Sequence, residues 1–157
     1  LTVAFIGDGN NVATSLSLGA VYAGANFVIA SPKGYELPTP FFHIVQQAAL
    51  DHGATARQVN NPQDAVEGAD VVYTDVWVSM GNEAETQQRL RDFHAYQVNS
   101  KLMELANPDA IFMHDLPAHR GEEISDGMLE HPQSVVFDQA ENRLHAQKAA
   151  LEFLLTQ

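Results

Sequence analysis

Short apolar runs alternating with longer stretches of 3.6-residue period constrain this chain more than any other feature. The runs are Thr2–Ile6, Phe27–Ala30, Asp70–Thr74, Ala110–Met113 and Ser134–Phe137. Each is brief and apolar on both faces, so each predicts a strand covered from both sides. Helices packed on the two faces of a parallel sheet provide that cover.

Between the runs the period becomes helical. Val12, Leu16, Ala20 and Ala23 form one stripe, ended by Gly24. Phe41, Ile44, Val45, Ala48 and Ala49 form a second, with Thr39 placed as its cap, Pro40 at its first position and Gly53 beyond its end. A short helix follows Asn61-Pro62 and stops at Gly68. Helical character returns from Glu83 to about Ala106, with a break at Tyr96-Gln97, and Asn107-Pro108 closes it. A last helix is predicted from about Ala140, with Leu144, Leu151 and Leu154 facing inward. About five strands and as many helices make one α/β domain over residues 1–157, a doubly wound, Rossmann-like three-layer fold. Ligands of such sheets bind beyond the carboxyl ends of the strands, which singles out four loops: Gly7–Asn11, Ser31–Pro38, Asp75–Gly81 and His114–Gly121.

Composition narrows the partners. A chain of 157 residues with formal charge -12 repels phosphate backbones and anionic lipid, so nucleic acid and membrane are not expected partners. There is no cysteine, hence no disulfide framework and no thiolate metal site. No apolar run reaches the roughly 18 residues of a membrane span. The cytoplasm is the expected compartment. The chain enters a strand almost at Leu1, as a piece of a longer polypeptide would.

The first loop, Gly7-Asp8-Gly9-Asn10-Asn11, follows a strand and opens a helix. It is a poor dinucleotide site. Val12 stands where the third glycine of the fingerprint belongs, Asp8 would oppose a pyrophosphate, and the second strand ends in Ile29-Ala30-Ser31 without an acid for a ribose. Asn10 and Asn11 instead stand at a helix start, where free N–H groups favour a small anion. One of the two can equally serve as the helix cap. His114, His119 and His145 lack the spacing of a metal site, and Ser79 lacks the context of a nucleophile. No metal is expected. Trp77 and Phe93 read as packing residues.

Three segments together resemble the ornithine carbamoyltransferases. They are Phe5-Ile6-Gly7-Asp8-Gly9-Asn10-Asn11, Asp75-Val76-Trp77-Val78-Ser79-Met80-Gly81, and Met113-His114-Asp115-Leu116-Pro117-Ala118-His119-Arg120-Gly121-Glu122-Glu123. Tyr96-Gln97-Val98 and Ala140-Glu141-Asn142-Arg143 fit the same pattern, in order, along essentially the whole chain. The resemblance implies an ornithine-binding domain that works with a separate carbamoyl-phosphate-binding half. That other half carries a Ser-x-Arg-Thr type loop, which does not occur here. The implied substrates are L-ornithine and carbamoyl phosphate, the products L-citrulline and phosphate, with no cofactor and a trimeric complete enzyme. Asn11 resembles the holder of the ornithine α-carboxylate and Asp75 the partner of its α-ammonium. Ser79 and Met80 resemble parts of a closing loop. Asp115 and Leu116 stand where the carbamoyl group meets the δ-amine, and Arg143 resembles an arginine that reaches carbamoyl phosphate.

The chemistry suits these residue types. A free amino acid carries opposite charges about 2–3 Å apart, so its site needs an acid beside an anion-binding group. Its amine must be neutral to attack, although an alkylamine like that of lysine has an ordinary pKa near 10.4. A dry, closed site lowers that value, and Gly81 is a candidate hinge for closure. One position departs from the family. Its third loop reads His-Cys-Leu-Pro, and here it reads His114-Asp115-Leu116-Pro117. Asp115 would either oppose carbamoyl phosphate and hold the amine charged, or accept the amine proton as a general base. The expectation is therefore carbamoyl transfer with the isolated chain inactive. The alternatives are a non-catalytic amino-acid-binding module or a related transferase with another substrate.

Overall fold

In a computed structural model, which describes residues 1–79 and 81–156, the sheet has five parallel strands in the order β3-β2-β1-β4-β5. These are β1 (Thr2–Ile6), β2 (Asn26–Ala30), β3 (Ala56–Val59), β4 (Val71–Thr74) and β5 (Ile111–His114). β1 pairs with β2 on one side and β4 on the other, so the order reverses there. A crevice opens beyond the carboxyl ends of strands at such a reversal.

The sheet alternates its side chains between two apolar layers, as the pleat requires. Phe5, Phe27, Ile29 and Tyr73 pack under α1 (Asn11–Tyr22) and α2 (Thr39–Asp51), against Ala13, Val21, Val45 and Ala49. Ala4, Ile6, Val28, Val72 and Phe112 face the other way. They pack against α3 (Pro62–Val66), the segment of α4 (Thr86–Asp92) that ends in Phe93, and α5 (Ser100–Met103). Trp77 and Phe93 are both fully enclosed and stack at 5.9 Å between centroids, which makes them core residues as expected.

Four expectations need correction. The fifth strand is β3, not Ser134–Phe137. Residues 133–135 exchange two backbone hydrogen bonds with the β5 edge, Phe112 N–H to Gln133 O at 2.8 Å and Val135 N–H to Phe112 O at 3.0 Å. The chain then turns into α6 (Val136–Leu155). Thr39 does not cap α2: it is already helical, Pro38 holds the cap position without a side-chain bond, and Ile44 is exposed. The 83–106 region is more broken than its period suggests, because Tyr96 donates its hydroxyl to Asn60 O and Val98 lies buried in an extended stretch bridged to Ile124. Lastly, α6 starts at Val136, and its Leu144, Leu151 and Leu154 are 59%, 59% and 70% exposed. Only Val136 of that helix joins the core. No helix among the described residues is long and apolar enough to cross a membrane.

Candidate functional site

The four loops named from the sequence all leave the carboxyl ends of strands, and three of them meet around the β1/β4 reversal. Asn10 is the joint. Its Oδ1 accepts the N–H groups of Val12 and Ala13 at 3.0 and 3.1 Å, capping α1, while its Nδ2 donates to Asp75 Oδ2 at 2.7 Å. Capping is thus the role of Asn10. That leaves Asn11, exposed and first in α1, next in sequence to the residue that holds the buried carboxylate of Asp75. The first turn of α1 holds no acidic side chain, so no acid of its own offsets the positive end of the helix dipole.

Strand register brings the second acid in. β4 and β5 pair Tyr73 with Met113 and Thr74 with His114, so the next residues along, Asp75 and Asp115, leave the sheet side by side. Asp75 Oδ1 accepts the Val76 N–H at 2.7 Å. Asp115 is less well provided for: its Oδ1 is buried and has no hydrogen-bond partner. His114 Nδ1 lies 3.5 Å away, but that nitrogen already accepts the Leu116 N–H at 2.9 Å. His114 is therefore the Nε2–H tautomer and donates to Glu123 Oε1 at 3.2 Å. Burial, then the charge of Asp75, lifts the Asp115 carboxyl from its ordinary 3.8 to about 6. Leu116 follows in the left-handed region at φ 58, a position that costs a branched side chain of order 1 kcal/mol and is concentrated at functional sites.

Two adjoining cavities share Tyr73 and Asp115. The larger, of about 550 Å³, is also lined by His114, Leu116, Gln139 and Arg143. The smaller, of about 440 Å³, runs along α1 past Asn11, Ser15 and Leu16. The sequence-predicted residues Asp115, Leu116 and Arg143 thus line the larger cavity and Asn11 and Asp115 the smaller, while Asp75 lines neither and is joined to them through its hydrogen bond from Asn10. Ser79 stands on the loop beyond Asp75, half-buried, and lines neither cavity. Met80 lies outside the described residues. Gly81, two residues beyond Ser79, takes φ 93, which suits a turn that glycine alone adopts freely.

Sequence reasoning passed over two members. Tyr73, in β4, lies two residues before Asp75, and its hydroxyl accepts from Gln139 Nε2 at 3.0 Å. Burial and the charges of Asp115 and Asp75 push that hydroxyl up to about 12, so it stays neutral. Gln139 in turn accepts the His114 N–H at 3.0 Å, fixing α6 to the end of β5. The motif that singled out Asp75 began at the strand end and so left out Tyr73, two residues earlier. Nothing local marked Gln139.

Elsewhere, His119, Glu122 and Glu123 hold potential metal-donor atoms within 4.8 Å of one another. Glu123 Oε1 is already engaged by the His114 ring and the His119 N–H, so this group chiefly shapes the third loop. A further cavity of about 530 Å³ lies near β3, between Glu36–Thr39 and Gln58–Asn60. Its polar groups largely bond one another, as with Leu37 N–H to Gln58 and Asn60 to Glu36.

Comparison with known proteins bears on the fold and the family. The family described as aspartate/ornithine carbamoyltransferase, Asp/Orn binding domain, matches residues 1–154. The ornithine carbamoyltransferase of Thermococcus kodakarensis is 50% identical over 155 residues, 99% of this chain and 49% of that protein. That of Methanopyrus kandleri is 53% identical over 154 residues, 98% of this chain and 49% of its own. Among solved structures, ornithine carbamoyltransferase from Pyrococcus furiosus superposes with a TM-score of 0.91 at 50% identity, over 96% of this chain and 48% of that one. The chain spans about half the length of the relatives it matches.

Proposed function

Because the chain belongs to the aspartate/ornithine carbamoyltransferase family, as its Asp/Orn-binding domain, we propose that it supplies the ornithine-binding half of a carbamoyltransferase. The observation that carries this reading is the convergence of the α1 start with two acidic side chains on one rim. Asn11 and the end of α1 receive the α-carboxylate; Asp75, already steadied by Asn10, receives the α-ammonium. Ser79 and Met80 belong to the loop that closes over the amino acid. The δ-amine extends toward Asp115 and Leu116. Arg143, in the lining of the larger cavity, meets carbamoyl phosphate.

The δ-nitrogen lone pair attacks the carbonyl carbon of carbamoyl phosphate, the bond from that carbon to the phosphate oxygen breaks, and phosphate leaves. One proton then has to depart from the nitrogen. Asp115 is suited to take it. A carboxyl lifted to about 6 holds a proton better than an ordinary aspartate and is still largely ionised at neutral pH.

The carbamoyl-phosphate-binding domain is proposed to lie against α6, whose Phe137, Leu144 and Leu151 expose 61%, 59% and 59% of their surface. An apolar stripe of that kind on a surface helix marks an interaction face. In this reading the complete enzyme is a cytoplasmic trimer assembled through that other domain, working with neither metal nor organic cofactor.

Calorimetry of the chain with L-ornithine and with putrescine tests the grip: ornithine should bind and putrescine, which lacks the α-amino acid head, should not. Equal affinity for both would remove Asp75 and Asn11 from the assignment. The isolated chain should form no citrulline from ornithine and carbamoyl phosphate; appreciable turnover would refute its role as half a site. Asp115 favours a second reading, an amino-acid-binding module without transfer activity. A complete polypeptide that binds ornithine yet gains citrulline synthesis only on Asp115→Cys would establish it.

A further inference from the structure

We propose that Arg89 is a positioning residue that locks the two ornithine-gripping loops to each other. Its guanidinium, in a residue 7% exposed, bonds three segments at once. Nη1 donates to Asp8 Oδ2 at 2.6 Å and to the Trp77 carbonyl at 3.1 Å, and Nε donates to Glu85 Oε2 at 3.0 Å. Asp8 stands two residues before Asn10. Trp77 stands two residues after Asp75 and two before Ser79. Glu85 belongs to the turn that follows Gly81. One cation therefore fixes the roots of the carboxylate-binding loop and of the closing loop, from outside the cavity.

The rest of the surroundings make the lock stiff. The guanidinium sits 5.0 Å from the centre of the Tyr35 ring, whose hydroxyl donates to Asp92 Oδ2 at 2.9 Å. The Tyr35 carbonyl accepts the Gly9 N–H at 2.7 Å, so the first loop is pinned on both sides of Asp8 and Gly9. Burial works against the charge on Arg89, but the bonds to Asp8 and Glu85 outweigh it and raise its pKa, keeping it ionised. A buried ion pair adds little stability over a well-packed apolar substitute. What it adds here is direction: a planar fork reaches acceptors on several segments, and an ammonium cannot match that geometry.

The inference rests on the ornithine reading of the site, so its test has two readouts. In the complete polypeptide, Arg89→Met should raise the KM for the amino acid by about tenfold to a hundredfold, the cost of misplacing binding groups by around 1 Å. The KM for carbamoyl phosphate should stay within about twofold, because Arg89 lies outside the larger cavity. Arg89→Lys should recover part of the loss, and Asp8→Asn should reproduce most of it without adding to Arg89→Met. Independently of substrate, hydrogen exchange should speed up together in residues 8–12 and in the loop after Asp75 in Arg89→Met, with helix α2 unchanged. Faster exchange in one loop alone, or in neither, overturns the lock, as does an unchanged KM. If the parent protein binds no ornithine while both loops loosen together, the lock stands and the ornithine assignment fails.

Discussion

Replacing Asp115 by Asn offers a sharp test of the site's electrostatics. The Asp115 carboxyl is raised from 3.8 to about 6 by burial and by the neighbouring Asp75, and its Oδ1 lacks a partner. An acid with a raised folded-state pKa costs the fold nothing while both states are protonated, below pH 3.8. As pH rises, the unfolded chain loses its proton first. Stability therefore falls between about pH 4 and pH 6 and levels off above the folded-state value. The rise corresponds to about 3 kcal/mol at about 1.4 kcal/mol per pH unit. The side chain is 33% exposed, and solvent screening reduces that figure to about 1–2 kcal/mol. Asn keeps the shape and cannot ionise. Urea unfolding of the parent chain and Asp115→Asn from pH 4 to pH 8 should give a stability difference that grows with pH. The variant should gain about 1–2 kcal/mol on reaching pH 7 relative to its standing at pH 4. A difference that stays constant across this range would refute the conclusion that Asp115 is held as a strained acid. The comparison uses the slope, so any fixed offset from new amide contacts drops out.

Three further outcomes are expected. Asn10→Ala removes a helix cap and the donor to Asp75, so it should cost about 1 kcal/mol in thermal or denaturant unfolding and weaken ornithine binding in calorimetry; normal affinity would detach Asn10 from the grip. Gly9→Ala should fold poorly or lose about 3 kcal/mol or more, because a Cβ there would meet the Glu36 and Leu37 backbone at 2.5 Å; unchanged circular-dichroism melting would contradict that close approach. Norvaline, which has the amino acid head without the δ-amine, brings an ammonium to the two acids and should release protons on binding near pH 6 but not at pH 8. Titration in two buffers of unlike ionisation heat reads this directly, and buffer-independent heats at pH 6 would separate the acids from the ligand.

Much of the architecture was legible because its strands are apolar on both faces and its loops are punctuated by glycine. β3 escaped because its Arg57 and Gln58 give a polar edge strand without a run of apolar residues. Ser134–Phe137 looked like a strand for the opposite reason: β-branched residues there do join the β5 edge briefly, but Val136 is needed in the core at the start of a helix. The period of α6 was readable and its orientation was not, since periodicity reveals an apolar stripe without naming what covers it. The loop motifs singled out Asn11, Asp115, Leu116 and Arg143, which line two adjoining cavities, and Asp75, which Asn10 ties to the same loops. Arg89 had no such signal. On a helix, an arginine among glutamines resembles a solvated residue, and its burial depends on Asp8, 81 positions earlier in the chain.

The register of β4 against β5 carries an evolutionary consequence. Positions 75 and 115 are delivered as neighbours by backbone ladders that are indifferent to what those side chains are. A lineage can therefore exchange one side chain for another at 115 and retune the acidity of this depression while every strand stays in place. Architecture and reactivity are separately heritable here, and a departure from a familiar signature can mark a change of working conditions within an unchanged frame.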